Sequence, residues 1–376
     1  MTIVAYLVFG ACALGLAHVF VGYPLWVAAL ARWWPRRVRQ SAWTPGVTAV
    51  VAVHDGAAHV QAKLAGLLAL DYPPGLLDIV VACDGCRDGT AELCRQLGDP
   101  RVRVLEFDTR RGKAACLNDA VAQARGEVLL MTDVRQRLEP DALRRLVANL
   151  GDPAVGAVSG ELRLFDARTG FARGIDAYWR YEKLIRHAES RSGSVVGVSG
   201  ALYAMRRALY RPLPPGTVLD DVLVPMQVAA AGQRVVFEPQ AVAWDGVSQQ
   251  PQDEQRRKIR TLAGNYQLVQ LAPWLLLPWR NPLWFRFVSH KLLRLLAPWL
   301  LLGLALAVAL LATRHTLFAV IALALAAAVA AVVAGRHVPA LGGRLPVRLL
   351  TAFCYLNLFA AQALVAFARN RRLHLW

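Results

Sequence analysis

The chain has 376 residues, 56% of them hydrophobic, with 43 Lys and Arg against 26 Asp and Glu. All 26 acids fall between Asp55 and Glu254, beside 24 basic residues, and the other 19 basic residues lie outside that span with no acid among them. The positive charge is therefore not the basic face of a nucleic-acid-binding domain, which the folded middle would have to carry; it matches the basic bias of the cytoplasmic side of a membrane.

Four stretches lack Asp, Glu, Lys and Arg: Thr2–Leu30, Leu295–Ala312, Thr316–Gly335 and Leu349–Ala368. Each is near the ~20 apolar residues that cross a bilayer. The first has no charged leader and is too long for a cleavable signal, so residues 1–31 read as a retained anchor. Arg32-Trp-Trp-Pro-Arg36-Arg37-Val-Arg39 follows at once. By the positive-inside rule that end is cytoplasmic, and the central domain with it. Nine of the eleven Trp lie outside the central region or at its edge, where an interfacial aromatic belt would have them.

Val47–Val53 is a continuous apolar strand ending in His54-Asp55-Gly56. Val60–Leu70 has helical spacing, and Asp71-Tyr-Pro-Pro-Gly is a turn. Leu77–Ala82 is a second strand closing on Cys83-Asp84-Gly85. The pattern then gives a helix over Thr90–Leu97, a strand over Val102–Phe107, a helix over Lys113–Arg125, a strand over Glu127–Met131 and a helix over Pro140–Leu150. This alternation predicts an α/β domain over 44–264 with a parallel, doubly wound sheet, inserted between membrane helices.

From Ala154 the pattern changes. Short strands are expected at Val155–Ser159 and Leu162–Phe165, then a polar helix at Tyr178–Ser190 and a Gly- and Val-rich stretch, Ser194–Ala204, ending in a strand. A Pro-rich loop, Arg211–Gly216, leads to a helix over Asp220–Ala231 and short strands at Val235–Glu238 and Ala241–Trp244. Asp253–Gly264 is densely basic. Residues 265–294, broken by Pro273, Pro278 and Pro282, read as amphipathic helices lying on the membrane, and 295–376 as three spans. An outside N-terminus and four spans put the C-terminus outside, whereas Arg369-Asn-Arg-Arg argues for the inside.

Cys12 and Cys354 fall in spans, and Cys83, Cys86, Cys94 and Cys116 in a cytosolic domain, where thiols stay reduced. Cys83 and Cys86 have CxxC spacing. Cys94 and Cys116 do not form a second close pair, so small buried residues are preferred to a zinc or redox site.

Asp133 ends the strand Glu127–Met131, and the carboxyl ends of strands are where open α/β sheets bind ligands. A turn or cap role is its alternative. Lys113 follows a Gly at a helix start, a ready anion site, or belongs to a solvated basic turn. Asp220 and Asp221 open a helix, where capping competes with chemistry as the explanation.

The succession Val-Ala-Val-His54-Asp55, Cys83-Asp84-Gly85-Cys-Arg-Asp88-Gly-Thr, Arg111-Gly-Lys113-Ala-Ala-Cys-Leu-Asn118, Thr132-Asp133-Val-Arg135 and Asp220-Asp221 resembles family 2 glycosyltransferases, inverting enzymes with a GT-A (Rossmann-like) fold. The flanking spans resemble the membrane-bound polysaccharide-synthase branch, related to cellulose, chitin, hyaluronan and poly-N-acetylglucosamine synthases. The resemblance implies a nucleotide-sugar donor, UDP-linked, a divalent Mg2+ or Mn2+, a glycan or lipid acceptor and contact with membrane lipids. It also implies a multi-pass protein of the cell (inner) membrane with its catalytic domain in the cytoplasm.

Residue by residue, the resemblance makes Asp133 the metal ligand. Arg135 replaces its usual partner Asp and contacts phosphate or stays a solvated loop charge. Asp84 would read the donor base, with Cys83 in place of a preceding Asp, and an Asx turn is its alternative. His54 and Asp55 would lie near the nucleoside, and Asp88-Gly-Thr supplies turn and cap chemistry. Lys113 would neutralise the diphosphate with Arg110 or Arg111. Asp221 would be the base that deprotonates the acceptor hydroxyl, with Asp220 in place of the family's Glu.

Processive members carry Gln-x-x-Arg-Trp. Gln255-Arg-Arg-Lys258-Ile259 fits directly; anchoring on Gly264 selects Arg257, Arg260 and Thr261 instead. With Asp220, these residues would contact diphosphate or acceptor. Either register loses the Trp platform, for which Tyr178, Trp179 or Trp244 could substitute. The leading function is sugar transfer to a growing glycan or glycolipid. The alternatives are transfer of one sugar to a polyprenyl phosphate or other lipid, a degenerate inactive glycosyltransferase, and a transporter or structural membrane protein. The last is disfavoured because no span contains a carboxylate.

Overall fold

The computed structural model describes residues 2–165, 170–246 and 251–369, together with Leu375. Helix α1 (Thr2–Ala17) passes through a π-helical turn, His18–Gly22, into α2 (Tyr23–Trp33). The central domain follows as β1 (Val47–Val53), α3 (Ala57–Leu68), β2 (Leu77–Asp84), α4 (Thr90–Gln96), β3 (Val102–Phe107), α5 (Lys113–Ala122), β4 (Val128–Met131), β5 (Arg137–Leu138), α6 (Ala142–Leu150), β6 (Val155–Phe165), α7 (Gly170–Ser192), β7 (Tyr203–Arg206), α8 (Asp220–Ala230), β8 (Arg234–Gly246) and α9 (Pro251–Leu271). A short α10 (Trp284–Phe287) and a second π-helical turn, Val288–Leu292, lead into α11 (Leu293–Ala312). α12 (Thr316–His337), α13 (Pro339–Gly342) and α14 (Leu345–Arg369) complete the described chain.

The described strands form one eight-stranded sheet, ordered β3-β2-β1-β4-β7-β6-β8-β5. β3, β2, β1 and β4 are parallel, as the strand–helix alternation predicts. Beyond β4 the sheet is mixed, and the all-parallel expectation fails. β7 runs antiparallel to both β4 and β6, and β5 antiparallel to β8. The alternation that signals crossovers stops at Leu150, and β7 is only four residues at the end of a Gly-rich stretch.

The expected pairs of short strands merge. β6 is continuous, with register shifts at Val155/Ala157 and Ser159/Glu161. A Cβ on Gly160 would lie 2.6 Å from Leu202 Cδ2, so glycine lets β6 bend there without a clash. Opposite it, β8 accommodates Pro239 in the unpaired step between Phe237 and Val242.

β1 is buried along its whole length. Val50 and Ala52 face a core shared with Ala114, Leu117 and Ala120 of α5 and with Val222 and Met226 of α8. Ala49, Val51 and Val53 face Val60, Leu64 and Leu67 of α3 and Leu143 and Leu146 of α6. Burial on both faces explains why these strands read as unbroken apolar runs. The register Val53↔Cys83 and Val50↔Met131 brings the carboxyl ends of β1, β2 and β4 together, and with them His54, Asp84 and Asp133.

Among the described residues, four helices are long and apolar enough to cross a membrane: Thr2–Trp33, Trp284–Ala312, Thr316–His337 and Leu345–Arg369. α11 packs against α1, α12 and α14, and α14 also packs on α9. Leu7, Leu14 and Leu323 stay largely exposed, as faces meant for lipid would. The block expected to be interfacial, 265–294, is divided. Its start belongs to α9 and its end to the long helix from Trp284, because its prolines interrupt only the middle.

Candidate active site

A cavity of about 670 Å³ opens at the carboxyl ends of β1 and β4. Its wall includes His54, Asp55, Lys113, Asp133, Arg135, Asp220, Asp221, Arg257 and Arg260. Nine of the sequence-predicted residues thus meet in one space, from elements spread over two hundred residues of chain.

Lys113 is the hub. It opens α5, and its Nζ lies 2.9 Å from Asp133 Oδ1 and 3.2 Å from Asp220 Oδ2. Burial works against its charge, but Asp133 and then Asp220 outweigh it and hold its pKa above the ordinary lysine range. Gly200 lies against this group. A Cβ there would lie 3.5 Å from Lys113 Nζ, 3.7 Å from Asp133 Oδ2 and 3.8 Å from Asp221 Cβ. Burial, and next the neighbouring Asp220, push the Asp221 carboxyl up to about 6, against the pull of Lys113 and Lys291. Its Oδ1 is buried without a hydrogen-bond partner. A carboxylate so placed suits a general base better than a helix cap.

The anion-binding side is cationic. Arg260 Nε and Arg110 Nε and Nη2 are buried without hydrogen-bond partners. Burial lowers the Arg260 pKa, opposed by Asp220 and Asp133, and Arg110 stands close enough to lower it further. Arg260, in the same wall as Lys113 and with Arg110 close behind it, offers unspent donors to a polyanion.

α9 settles between the two registers of its basic motif. Arg257, Arg260 and Thr261 line the cavity, whereas Gln255 and Lys258 do not. Gln255 Nε2 donates instead to Gln362 Oε1 on α14, at 3.3 Å.

Three expectations need correction. Asp84 is fully buried. Its Oδ1 accepts the Arg111 N–H at 2.7 Å and its Oδ2 the Gly112 N–H at 2.8 Å, so it anchors the loop before Lys113 and does not face the cavity. Arg111 points away from the cavity, pairing with Asp119 at 2.6 Å and covering the Phe107 ring, while its neighbour Arg110 is buried near Arg260. Arg135 lines the cavity, but its Nη2 donates to buried Asp245 at 3.2 Å, so it is not a free loop charge.

The remaining predicted residues fall where the turn chemistry puts them. Asp88 accepts the Ala57 and Thr90 N–H groups at 2.8 and 3.1 Å. Cys83 is buried in the core beside Cys94, with Cys86 next to it at the half-buried edge of the same cluster. The side chains of Tyr178 and Trp179 lie outside the described residues. Trp244 stacks on Phe165 with centroids 5.0 Å apart.

Several groups were missed. Lys63 of α3 is buried behind the Asp133 loop, where it donates to Thr132 Oγ1 at 2.6 Å and to the Gln136 carbonyl at 2.8 Å. Burial lowers its pKa to about 7, against the pull of Asp133. A lysine at i+3 from Val60 on an apolar helix face was the available signal. Asp245, at the end of β8, accepts Gln136 Nε2 at 2.8 Å as well as Arg135. Glu182, Lys183 and Arg186 of α7 form the far wall, with Lys183 paired to Glu161 and Arg186 donating to Ser159 Oγ at 2.6 Å. A polar helix without motif spacing gave no cue to them.

Residues 45–264 match the family model described as glycosyltransferase like family 2. The chain is 22% identical over 236 residues to the poly-β-1,6-N-acetyl-D-glucosamine synthase of Staphylococcus epidermidis, which covers 61% of this chain and 57% of that protein. It is 23% identical over 231 residues to the synthase of the same name from Staphylococcus aureus (strain COL), covering 60% and 55%. The chain thus spans less than two thirds of the length of these curated relatives. Among solved structures, the mannosyltransferase PcManGT from Pyrobaculum calidifontis, in complex with GDP-Man and Mn2+, is similar over 97% of this chain and 99% of that one, with TM-score 0.72 and 25% identity. The matched region is more than half of the chain and carries β1 to β8 and the start of α9, hence nearly the whole cavity wall; the chain belongs to glycosyltransferase family 2.

Proposed function

We propose that the protein transfers a sugar from a nucleotide-sugar donor to a glycan or glycolipid acceptor at the membrane, with inversion at the anomeric carbon. The observation that carries this is the convergence of Asp133, Asp220 and Asp221 on Lys113, in a wall shared with Arg260 and with Arg110 close behind it, both with unspent guanidinium donors. The cations would take the donor diphosphate, and Asp221 would accept the proton of the attacking hydroxyl.

The residues fit a divalent cation. Asp133, Asp220 and Asp221 gather hard oxygen donors around Lys113, and Asp133 Oδ2 lies 3.7 Å from where a Cβ on Gly200 would be. Asp133 would hold the ion as its lone carboxylate ligand, because Arg135 and Gln136 occupy Asp245. When bound, the ion neutralises charge on the departing nucleoside diphosphate.

The Arg32–Arg39 cluster after the first span supports a cytoplasmic catalytic domain in the inner membrane. A GDP-mannose donor is the second reading. It is favoured by similarity to the GDP-Man-bound mannosyltransferase along nearly the whole chain. Transfer of one sugar to a polyprenyl phosphate is the alternative acceptor reading, because Thr261 leaves α9 without an aromatic platform at the cavity.

Nucleotide release by the purified chain, screened over UDP- and GDP-sugars with and without Mn2+ or Mg2+, tests donor and metal together. Release from one donor, dependent on the ion and lost in Asp133→Asn, is expected. Equal release by Asp133→Asn would refute the site. Product analysis with labelled donor separates a polymer from a lipid-linked monosaccharide.

A further inference from the structure

We propose that His54, Asp55 and Cys86 form a binding site for a thiophilic divalent cation of the zinc type, distinct from Asp133. Their ligand atoms, one from each residue, all lie within 4.8 Å of one another. The residues come from the turns after β1 and β2, which the Val53↔Cys83 register sets side by side.

His54 is already oriented as a ligand. Its Nδ1 lies 2.6 Å from the Asp84 carbonyl oxygen, which can only accept, so Nδ1 carries the proton and Nε2 presents its lone pair. That lone pair faces Asp55 Oδ2 at 3.4 Å. A proton on Nε2 or a metal ion would each satisfy this pair, and the Cys86 thiol beside it favours the metal. The other Asp55 oxygen is fixed by the Arg87 N–H at 2.9 Å, a support of the kind that holds metal-binding carboxylates. Asp55 keeps this geometry at φ 47°, in the left-handed region that a non-glycine residue enters at a cost.

Cys86 supplies the softness. Its thiol is half-buried, 3.5 Å from the Val53 carbonyl oxygen and near Asp55, Thr90 and Cys83, contacts that rotation about its Cα–Cβ bond would exchange for the metal. Bonds of ~2.0–2.3 Å to a tetrahedral ion place ligand atoms roughly 3.3–3.7 Å apart, a spacing His54 and Asp55 already meet. One thiolate, one imidazole and one carboxylate select zinc over magnesium and leave a fourth position open toward the cavity. On binding, the Cys86 thiol loses its proton to solvent as the metal–sulfur bond forms. Cys83, the other half of the CxxC spacing, faces the core and takes no part.

His54 and Asp55 also line the cavity, so an ion held there would obstruct the donor; this consequence rests on the proposed function, whereas the site does not. Cobalt is the probe for the site. Titrating Co2+ into the full-length, metal-stripped protein in detergent is expected to give a thiolate-to-cobalt charge-transfer band saturating at one ion per chain, displaced by Zn2+. Asp133→Asn should keep the band, Cys86→Ser should abolish it, and His54→Gln should weaken binding at least 10-fold.

Thermal unfolding of metal-free Cys86→Ser at the wild-type temperature would show that loss of the band is not misfolding. Absence of the band in the wild type, or its persistence in Cys86→Ser, would overturn the site. A band without any Zn2+-dependent rise in donor KM would keep the site and overturn its overlap with the donor.

Discussion

Asp221 is where burial and charge have the most direct functional consequence. Its carboxyl, raised to about 6 by burial and by Asp220, is protonated below that pH and cannot then accept a proton. kcat/KM should therefore rise as pH increases through about 6 and level off above it. Asp221→Asn should remove that limb and lower kcat by roughly 10²–10⁴-fold, the usual contribution of a general base. Lys291 pulls the same carboxyl down from the membrane side, where its Cε passes 3.9 Å from the Cβ position of Gly197. Lys291→Met should therefore move the limb to higher pH, and an unmoved limb would show that Asp221 is not the titrating group.

Lys63 acts at one remove, through the loop that carries Asp133. Lys63→Met leaves the Gln136 carbonyl and the Thr132 hydroxyl without their buried donor. A drop in kcat/KM on the order of 10–100-fold is expected, the penalty for a reacting group displaced by about an ångström. Lys63→Arg should recover part of it, which a purely steric role would not allow.

Among the elements, α7 links the cavity to the membrane helices. One face contributes Glu182, Lys183 and Arg186 to the cavity wall. The other buries Ile185 and Ala188 against Tyr23 and Val27 of α2. Beneath it, fully buried Glu189 accepts hydrogen bonds from Tyr23 and from His290 Nδ1, and Glu182 pairs with His290 and Arg294. The two π-helical turns meet here, with His18 Nε2 2.9 Å from Ser289 Oγ. A π turn shifts the phase of the helix that follows it, a common device at functional junctions.

Arg286 closes the arrangement by donating to the carbonyls of Glu189, Ser192 and Ser194 at the end of α7, between 2.7 and 3.1 Å. Arg286→Met should destabilise the protein by roughly 3 kcal/mol or more, because several buried acceptors lose their donor at once. The midpoint of thermal or denaturant unfolding in detergent reads this directly. An unchanged midpoint would mean that water replaces the guanidinium.

The presence of Asp133 and Lys113 in the cavity wall was legible because each sits at a strand end or helix start, and that of Arg260 from the family motif anchored on Gly264. Asp84 has the same placement but the opposite orientation, since the loop it ends must satisfy two backbone N–H groups and the carboxylate is spent on them. Asp245 and the α7 wall were not legible, because they depend on long-range packing that leaves no period in the chain.

At the scale of the whole molecule, the parallel half of the sheet was readable from apolar runs between helices, and the mixed half was not. β7 enters between β4 and β6 only because the glycine-rich stretch before it can turn back along the sheet. The same holds for the boundary between domain and membrane. Composition separates 44–264 from the spans, but the structure ties them together through charge. Within 44–264, buried Glu182 and Glu189 find their cationic and hydrogen-bonding partners at Tyr23, His290 and Arg294, all outside that range. A fragment cut at those bounds loses every one of these pairings. The apolar α7 face would also be bared to water. Residues 44–264 expressed alone should therefore show no cooperative thermal transition by circular dichroism and no release of nucleotide from donor. A monomeric fragment that unfolds cooperatively would mean that the domain carries its own stability, and that α7 only docks on the membrane helices.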